Sequence, residues 1–268
     1  INFNIPTASP DSWIDTAKST ISFKVKYDGT PGATAFASGA VVAALRSSAM
    51  SFFNRIYHTT GSGTIADDVP LVNLAHHHNL QLNMNSADMD SLALGYGFSY
   101  EDASANSVNR NNGHTIASYG LSGTAATLAS SYYSYEFPLP SSVIGKFCKG
   151  MFPIGKLNKL TLSLQTDTTA PVSIRMNTAT ASATGSVSFT IDDLAINLVY
   201  VNLGPEASRL LGGGDSVIVP AVTHRVSQST LPSGQAGQFS ILMGLRGSSC
   251  RDLAVRCVEN GLTTATSV

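Results

Sequence analysis

Strict alternation of apolar and polar residues, recurring along the chain, constrains the fold more than any other feature. A period of two puts successive side chains on opposite faces of a strand, so each such run reads as a half-buried β-strand. Ile21-Ser22-Phe23-Lys24-Val25-Lys26-Tyr27 alternates strictly and ends at Asp28-Gly29, a turn pair. Leu160–Thr166 and Val172–Met176 follow the same rule, and Tyr132–Phe137 and the long run Ser188–Val201 are further strands. Met50–His58 is an apolar, aromatic run that stops at Gly61-Ser62-Gly63. Only two stretches read as helix: 70–84, where Leu71, Leu74, Ala75 and His78 recur at three- and four-residue spacing, and Glu206–Leu211. Beyond Gly212-Gly213-Gly214, Ser216–Pro220, Thr223–Val226, Gln238–Leu245 and Arg251–Val258 read as a fresh set of strands. Many strands and little helix imply an all-β sandwich or barrel, and the long connections favour a jelly roll. Residues 85–131 are rich in Gly, Ser, Asn and Ala, a long excursion of the kind that usually makes contacts or carries function.

Composition narrows the class. Charged residues are 12% of the 268, roughly half the usual share, with 16 basic against 17 acidic. A disordered chain would carry fewer apolar residues than the 43% found here. A dense basic face for nucleic acid is excluded by the charge balance, and no apolar run reaches the length of a transmembrane helix. Ile1–Pro6 alternates and has no basic region, so it does not read as a signal peptide. It begins mid-strand, as a processed or partly ordered product would. Cys148, Cys250 and Cys257 are an odd set without CxxC spacing and read as ordinary thiols. A well-patterned chain with so little charge is expected to cover much of its surface with other protein.

The chemical motifs dissolve on inspection. Gly150–Lys156 matches G-x-x-x-x-G-K, but Leu157 stands where Ser or Thr would bind Mg²⁺, Pro153 removes a backbone donor, and a strand follows instead of a helix. His76-His77-His78 on a helix point about 100° apart and cannot share one metal. Gly120-Leu121-Ser122-Gly123 lacks the spacing of a nucleophile elbow. His58, His114 and His224 could join a Ser and an Asp in a triad, yet the chain holds too many hydroxyl residues for that to be informative. Asp192 and Asp193 within a strand face opposite sides and cannot form an acid/base pair. Lys146, Lys149, Lys156 and Lys159 are the nearest thing to a basic patch, without interleaved aromatics. No catalytic, cofactor-binding or metal-binding residues are therefore assigned, and no cofactor is expected.

A series of short segments, taken in order, resembles the double jelly-roll major capsid proteins of tailless icosahedral viruses, the lineage of polinton-like viruses and related phages. Phe3–Pro6 and Ile21–Tyr27 resemble the opening strands of their first barrel. Ser48–His58, Gly61–Gly63, Ile65–Asp68 and the helix from Pro70 resemble the next elements. Phe137-Pro138-Leu139, Lys149–Gly155 and Leu160–Thr166 resemble the end of that barrel, and Phe189–Gly204 with Leu203–Ala207 the crossing into the second. Ser216–Pro220, Arg225, Gln235–Phe239 and Ser248–Leu253 resemble the second barrel's first strands.

The resemblance implies a first jelly roll over 1–203 with the excursion 85–131, a linker over 204–215, and the first strands of a second jelly roll over 216–268. Only 65 of the 268 residues follow position 203, so the second barrel is incomplete over this length. It further implies a structural subunit of the virion shell, not an enzyme. Three copies would form a pseudo-hexagonal capsomer that meets neighbouring capsomers, penton proteins and minor capsid proteins, with no specific nucleic-acid binding. The excursion would then be an exposed tower or an inter-subunit arm. A carbohydrate-binding jelly roll using Trp13 and the cluster Tyr132, Tyr133 and Tyr135, and a β-sandwich hydrolase using loop histidines, are the competing expectations.

Overall fold

The chain runs out and back along itself. In this computed structural model, which describes residues 1–7, 9–31, 41–45, 48–83, 95–97, 115–119, 132–166, 174–177, 185–211, 217–226 and 253, an outgoing arm carries β1 (Asn2–Ile5), β2 (Ser12–Pro31), β3 (Val41–Leu45), β4 (Phe53–Thr60) and β5 (Ile65–Pro70). Helix α1 (Val72–Asn83), β6 (Thr115–Tyr119), β7 (Tyr132–Pro138) and β8 (Met151–Phe152) follow. The returning arm carries β9 (Leu160–Thr166), β10 (Ile174–Asn177) and β11 (Gly185–Asn202), and ends in a short helix α2 (Pro205–Leu211).

The two arms pair wherever both are described, each time antiparallel: β4 with β9, β3 with β10, and β2 with β11. The paired segments follow one another in opposite order along the two arms, and the two ends of the series lie in different sheets. One sheet has the order β1-β9-β4-β5, the second β11-β2-β7 with β8 alongside β2, and a third β10-β3-β6. Every pairing among the described residues is antiparallel, and the fold is an all-β sandwich of the jelly-roll type.

The core lies between the first two sheets. Ile21, Phe23 and Val25 of β2, Ile56 of β4, Phe137 of β7 and Leu160, Leu162 and Leu164 of β9 are all buried. Phe23 sits at its centre, with ring centroids 5.4 Å from Phe53, 6.1 Å from Phe52 and 6.1 Å from Phe137, all edge-on. Edge-to-face contacts of this kind add about 0.5–1.5 kcal/mol each beyond area burial.

Several expectations change on contact with the structure. Asp28-Gly29 does not turn: β2 continues to Pro31, because β11 supplies partners as far as Gly185. β7 stops at Tyr132, opposite Lys26, so among the described residues the last five β2–β11 pairs have no third strand beside them. Met50–Phe52 is not strand but part of a 3₁₀ turn, Ala49–Phe52, capped by the Ser48 hydroxyl. Phe52 and Phe53 are both fully buried, and consecutive strand residues cannot enter one core, so the chain must turn there. Part of the excursion 85–131 is itself strand, since β6 pairs with β3. Residues 217–226 are extended but form no ladder, only an isolated bridge between Ala221 and Cys148. The expected strands Gln238–Leu245 and Arg251–Val258 lie outside the described residues, apart from Leu253.

β11 shows how a sequence irregularity becomes geometry. Its core-facing residues are Phe189 and Ile191, then Leu194, Ile196, Leu198 and Tyr200. The inward phase shifts from odd to even numbers between them. A register shift between Asp192 and Ala195 absorbs the extra residue, and Asp193 takes a left-handed conformation (φ 52°). Asp193 is thereby turned into solvent, where it pairs with Lys24 at 2.8 Å. The simple rule that Asp192 and Asp193 face opposite sides of a regular strand fails at this bulge.

Candidate functional site

The structure assembles one cluster that resembles catalytic machinery. His58 on β4 is fully buried, and its Nε2 lies 3.1 Å from Ser141 Oγ. Ser141 opens the turn after β7, where Oγ also accepts the backbone N–H groups of Val143 (3.1 Å) and Ile144 (3.0 Å). With both acceptor positions used, the hydroxyl proton is directed at Nε2, which fixes the His58 proton on Nδ1. Among the described residues that Nδ1 has no hydrogen-bond partner. Burial pushes the His58 pKa down to about 4, against a smaller opposing pull from Asp67.

Asp67 on β5 is the nearby acid, but it does not orient the imidazole. Its Oδ2 accepts from Ser142 Oγ and its Oδ1 from Thr223 Oγ1 at 2.7 Å. A triad requires the acid on Nδ1 and a nucleophile that substrate can reach. Here Ser141 is 1% exposed, and the N–H groups that could have stabilised an oxyanion are bonded to Ser141 itself. The cluster pins the 141–144 turn to β4 and β5; it presents no reacting atom to solvent.

The other motifs settle equally plainly. His76 on α1 packs inward, its Nδ1 3.2 Å from Ser48 Oγ and its ring stacked on Tyr96. The side chains of His77 and His78, and all of His114, lie outside the described residues. Among the described residues no three His, Cys, Asp or Glu side chains converge on a metal position. Gly150–Lys156 forms β8, a corner at Pro153 and a 3₁₀ turn. Gly155 lies directly against the backbone carbonyls of Ser9 and Pro10, so oxygens occupy the place where a phosphate cradle needs donors. Lys146, Lys149, Lys156 and Lys159 are all exposed. Trp13 and Tyr135 are buried and Tyr133 packs against the core, which leaves only Tyr132 exposed in the aromatic set proposed for sugar binding.

What the described structure does present is an incompletely covered face. β11 is an edge strand among the described residues; Phe189, Ile191, Leu194, Ile196, Leu198 and Tyr200 point at the core, yet none of them is fully buried. On the opposite face of the same sheet, the row Met151–Asp15–Val199 leaves Met151 40% and Val199 39% exposed. Higher up, that outer face is polar with little net charge. Asn197 donates to Thr20 and Ser22, Thr20 donates to Glu136, and Lys24 pairs with Asp193. Interfaces between subunits have this mixture, apolar spots within a polar, charge-poor surround. Sequence reasoning missed the Ser141, Ser142 and Thr223 contacts. The partners are 83, 75 and 156 residues apart, and no local pattern marks such pairs.

No family model matches the chain, and no curated protein matches it. Among solved structures it is similar to a chain in the 3.5 Å cryo-EM structure of the Sputnik virophage, with a TM-score of 0.51 and 15% sequence identity. The likeness covers 76% of this chain and 45% of that one, so this chain spans under half the length of the protein it resembles. At that identity the likeness concerns the fold.

Proposed function

We propose that this protein is a structural subunit of a viral shell, a major capsid protein that self-assembles rather than an enzyme. The observation that carries the reading is the shared sandwich fold with a virophage chain, in a molecule where the one catalytic-looking cluster among the described residues is sealed. The finer reading is a trimer forming a pseudo-hexagonal capsomer, with capsomers tiling an icosahedral shell in the virion. A threefold ring needs two different surfaces that meet and close. The half-covered edge at β11 and the charge-poor outer face of its sheet are suited to that, and the 12% charge of the whole chain agrees. The third sheet, β10-β3-β6, includes part of the excursion expected to be a tower or inter-subunit arm. A first barrel over 1–203 and a second begun over 216–268 belong to the same reading, as do contacts with penton and minor capsid proteins.

Negative-stain microscopy with multi-angle light scattering tests this. Trimers, hexagonal capsomers or shells are expected. A monodisperse monomer across protein concentrations and ionic conditions overturns the proposal.

A further inference from the structure

Residues 217–226 return to the barrel as a strap beside the chain at Phe147–Lys149. Lys149 N–H donates to Pro220 O at 2.8 Å, and Val222 N–H donates to Phe147 O at 2.9 Å, on either side of the Cys148–Ala221 bridge. Thr223 Oγ1 donates to Asp67 Oδ1 at 2.7 Å, and the His224 ring meets Phe147 edge-on at 4.7 Å. No residue of the strap is fully buried, and Ile218 is 92% exposed. Apolar burial therefore does little to hold it, and its polar contacts carry the attachment.

Those contacts trace back to one buried imidazole by two routes. Ser141, whose hydroxyl meets His58 Nε2, accepts the Phe147 N–H on its backbone carbonyl at 3.1 Å, and Phe147 O accepts from Val222. Asp67, the cross-strand partner of His58, accepts from Thr223 on one oxygen and from Ser142 on the other. The routes end on adjacent strap residues, Val222 and Thr223.

Both routes need His58 neutral. A second ring proton turns Nε2 from acceptor into donor. It then faces an oxygen already occupied by the Val143 and Ile144 N–H groups, and the Ser141 proton loses its acceptor. The imidazolium also draws Asp67 away from Ser142 and Thr223. Other groups around the ring do not substitute for Asp67. Across β9 the partner is the apolar Leu162. Asp68 is paired with Arg55, and His76 of α1 is engaged by Ser48. Lys146 and Lys149 on the turn and Arg225 on the strap are exposed, and the charge acting on His58 is that of Asp67.

We propose that residues 217–226 are a strap that acid loosens: protonating His58 breaks both routes and lets the strap leave the barrel while the sheet of β9, β4 and β5 stays paired. The His58 pKa of about 4 in the closed form lies below the ordinary 6.5 that it regains once water reaches the ring. The closed form is therefore fully favoured above pH 6.5, and the preference is lost as pH falls to 4. Opening rises about tenfold per pH unit across that window, about 300-fold in total.

Amide hydrogen exchange of the full chain, divided by the intrinsic rate at each pH, tests this across the window and below it. Protection of the Val222 and Lys149 amides should fall about tenfold per pH unit and level off below pH 4. It should stay well below the protection of β9 throughout, because the strap opens without the sheet. His58→Gln, with an amide oxygen for the Nε2 place and no proton to bind, should remove the fall. Thr223→Val should lower strap protection about tenfold at neutral pH and leave β9 unchanged. Strap protection that ignores pH, or that equals that of β9 at every pH, overturns the proposal. So does a fall that begins only below pH 4, where an ordinary carboxylate titrates, or one that persists in His58→Gln and so belongs to Asp67 or His224. The wild-type profile decides by itself if that variant does not fold.

Discussion

β9 and β11 are two stretches of the same returning arm, and in sequence they look alike. Leu160, Leu162 and Leu164 recur with a period of two, as do Leu194, Ile196 and Leu198. In the structure their fates diverge. β9 lies between β1 and β4, and its three leucines are at most 1% exposed. β11 lies at a sheet edge, and every one of its apolar residues from Phe189 to Val201 keeps some exposure. Alternation fixes which face a side chain takes. Whether that face is then covered depends on strands distant in sequence.

The comparison breaks most sharply on the covered strand: Leu162→Ala on β9 should cost about 2–5 kcal/mol, because the site is sealed on both sides, measured as a fall in the midpoint of chemical denaturation. On β11 the extra residue at the bulge keeps the strand in phase with the core. Asp193→Val removes the pair with Lys24 and forces a β-branched side chain into the left-handed conformation, a strain that should cost about 1–3 kcal/mol in the same assay.

His58, also on the well-covered sheet, predicts a pH effect. Its folded pKa of about 4 lies below the ordinary value of 6.5, so between the two the unfolded chain binds more protons. Its contribution is fully present above pH 6.5 and is lost as pH falls to 4, in total about 3 kcal/mol. His58→Asn should flatten that part of the stability–pH curve, read by denaturation at a series of pH values; an unchanged slope would contradict the assignment.

The smallest folding effect is expected on β11. Leu198→Ala should cost about 1 kcal/mol, because only part of the side chain is covered. If the β11 face is completed by other protein, this variant should nevertheless weaken self-association, measured by sedimentation, more than Leu162→Ala does at matched folded fraction.

Much of the fold was legible in the residues. The runs at Leu160–Thr166, Tyr132–Phe137 and Ser188–Val201 match strands to within a few residues, and the three- and four-residue spacing over 70–84 matches α1. Those signals are local, because strand and helix periods are properties of the chain itself. The short strands Val41–Leu45 and Thr115–Tyr119 were not legible; they exist as strands through pairing with each other and with β10. Asp28-Gly29 carried a turn signal that a long partner strand overrode. For the site, the sequence offered His58 as one of three loosely grouped histidines. Only the fold brought it to Ser141, and only its complete burial made that pair structural instead of reactive.

By itself, then, the sequence determined the class: strands with one polar and one apolar side, and few charges. Tertiary structure alone decided that β2, β3 and β4 pair with β11, β10 and β9, that the phase shift at Asp193 is a bulge, and that Thr223 returns to Asp67. The physical reason is the range of the interactions. Periodicity and turn chemistry act over a few residues, whereas coverage, register and buried polar pairs depend on groups that only folding brings together.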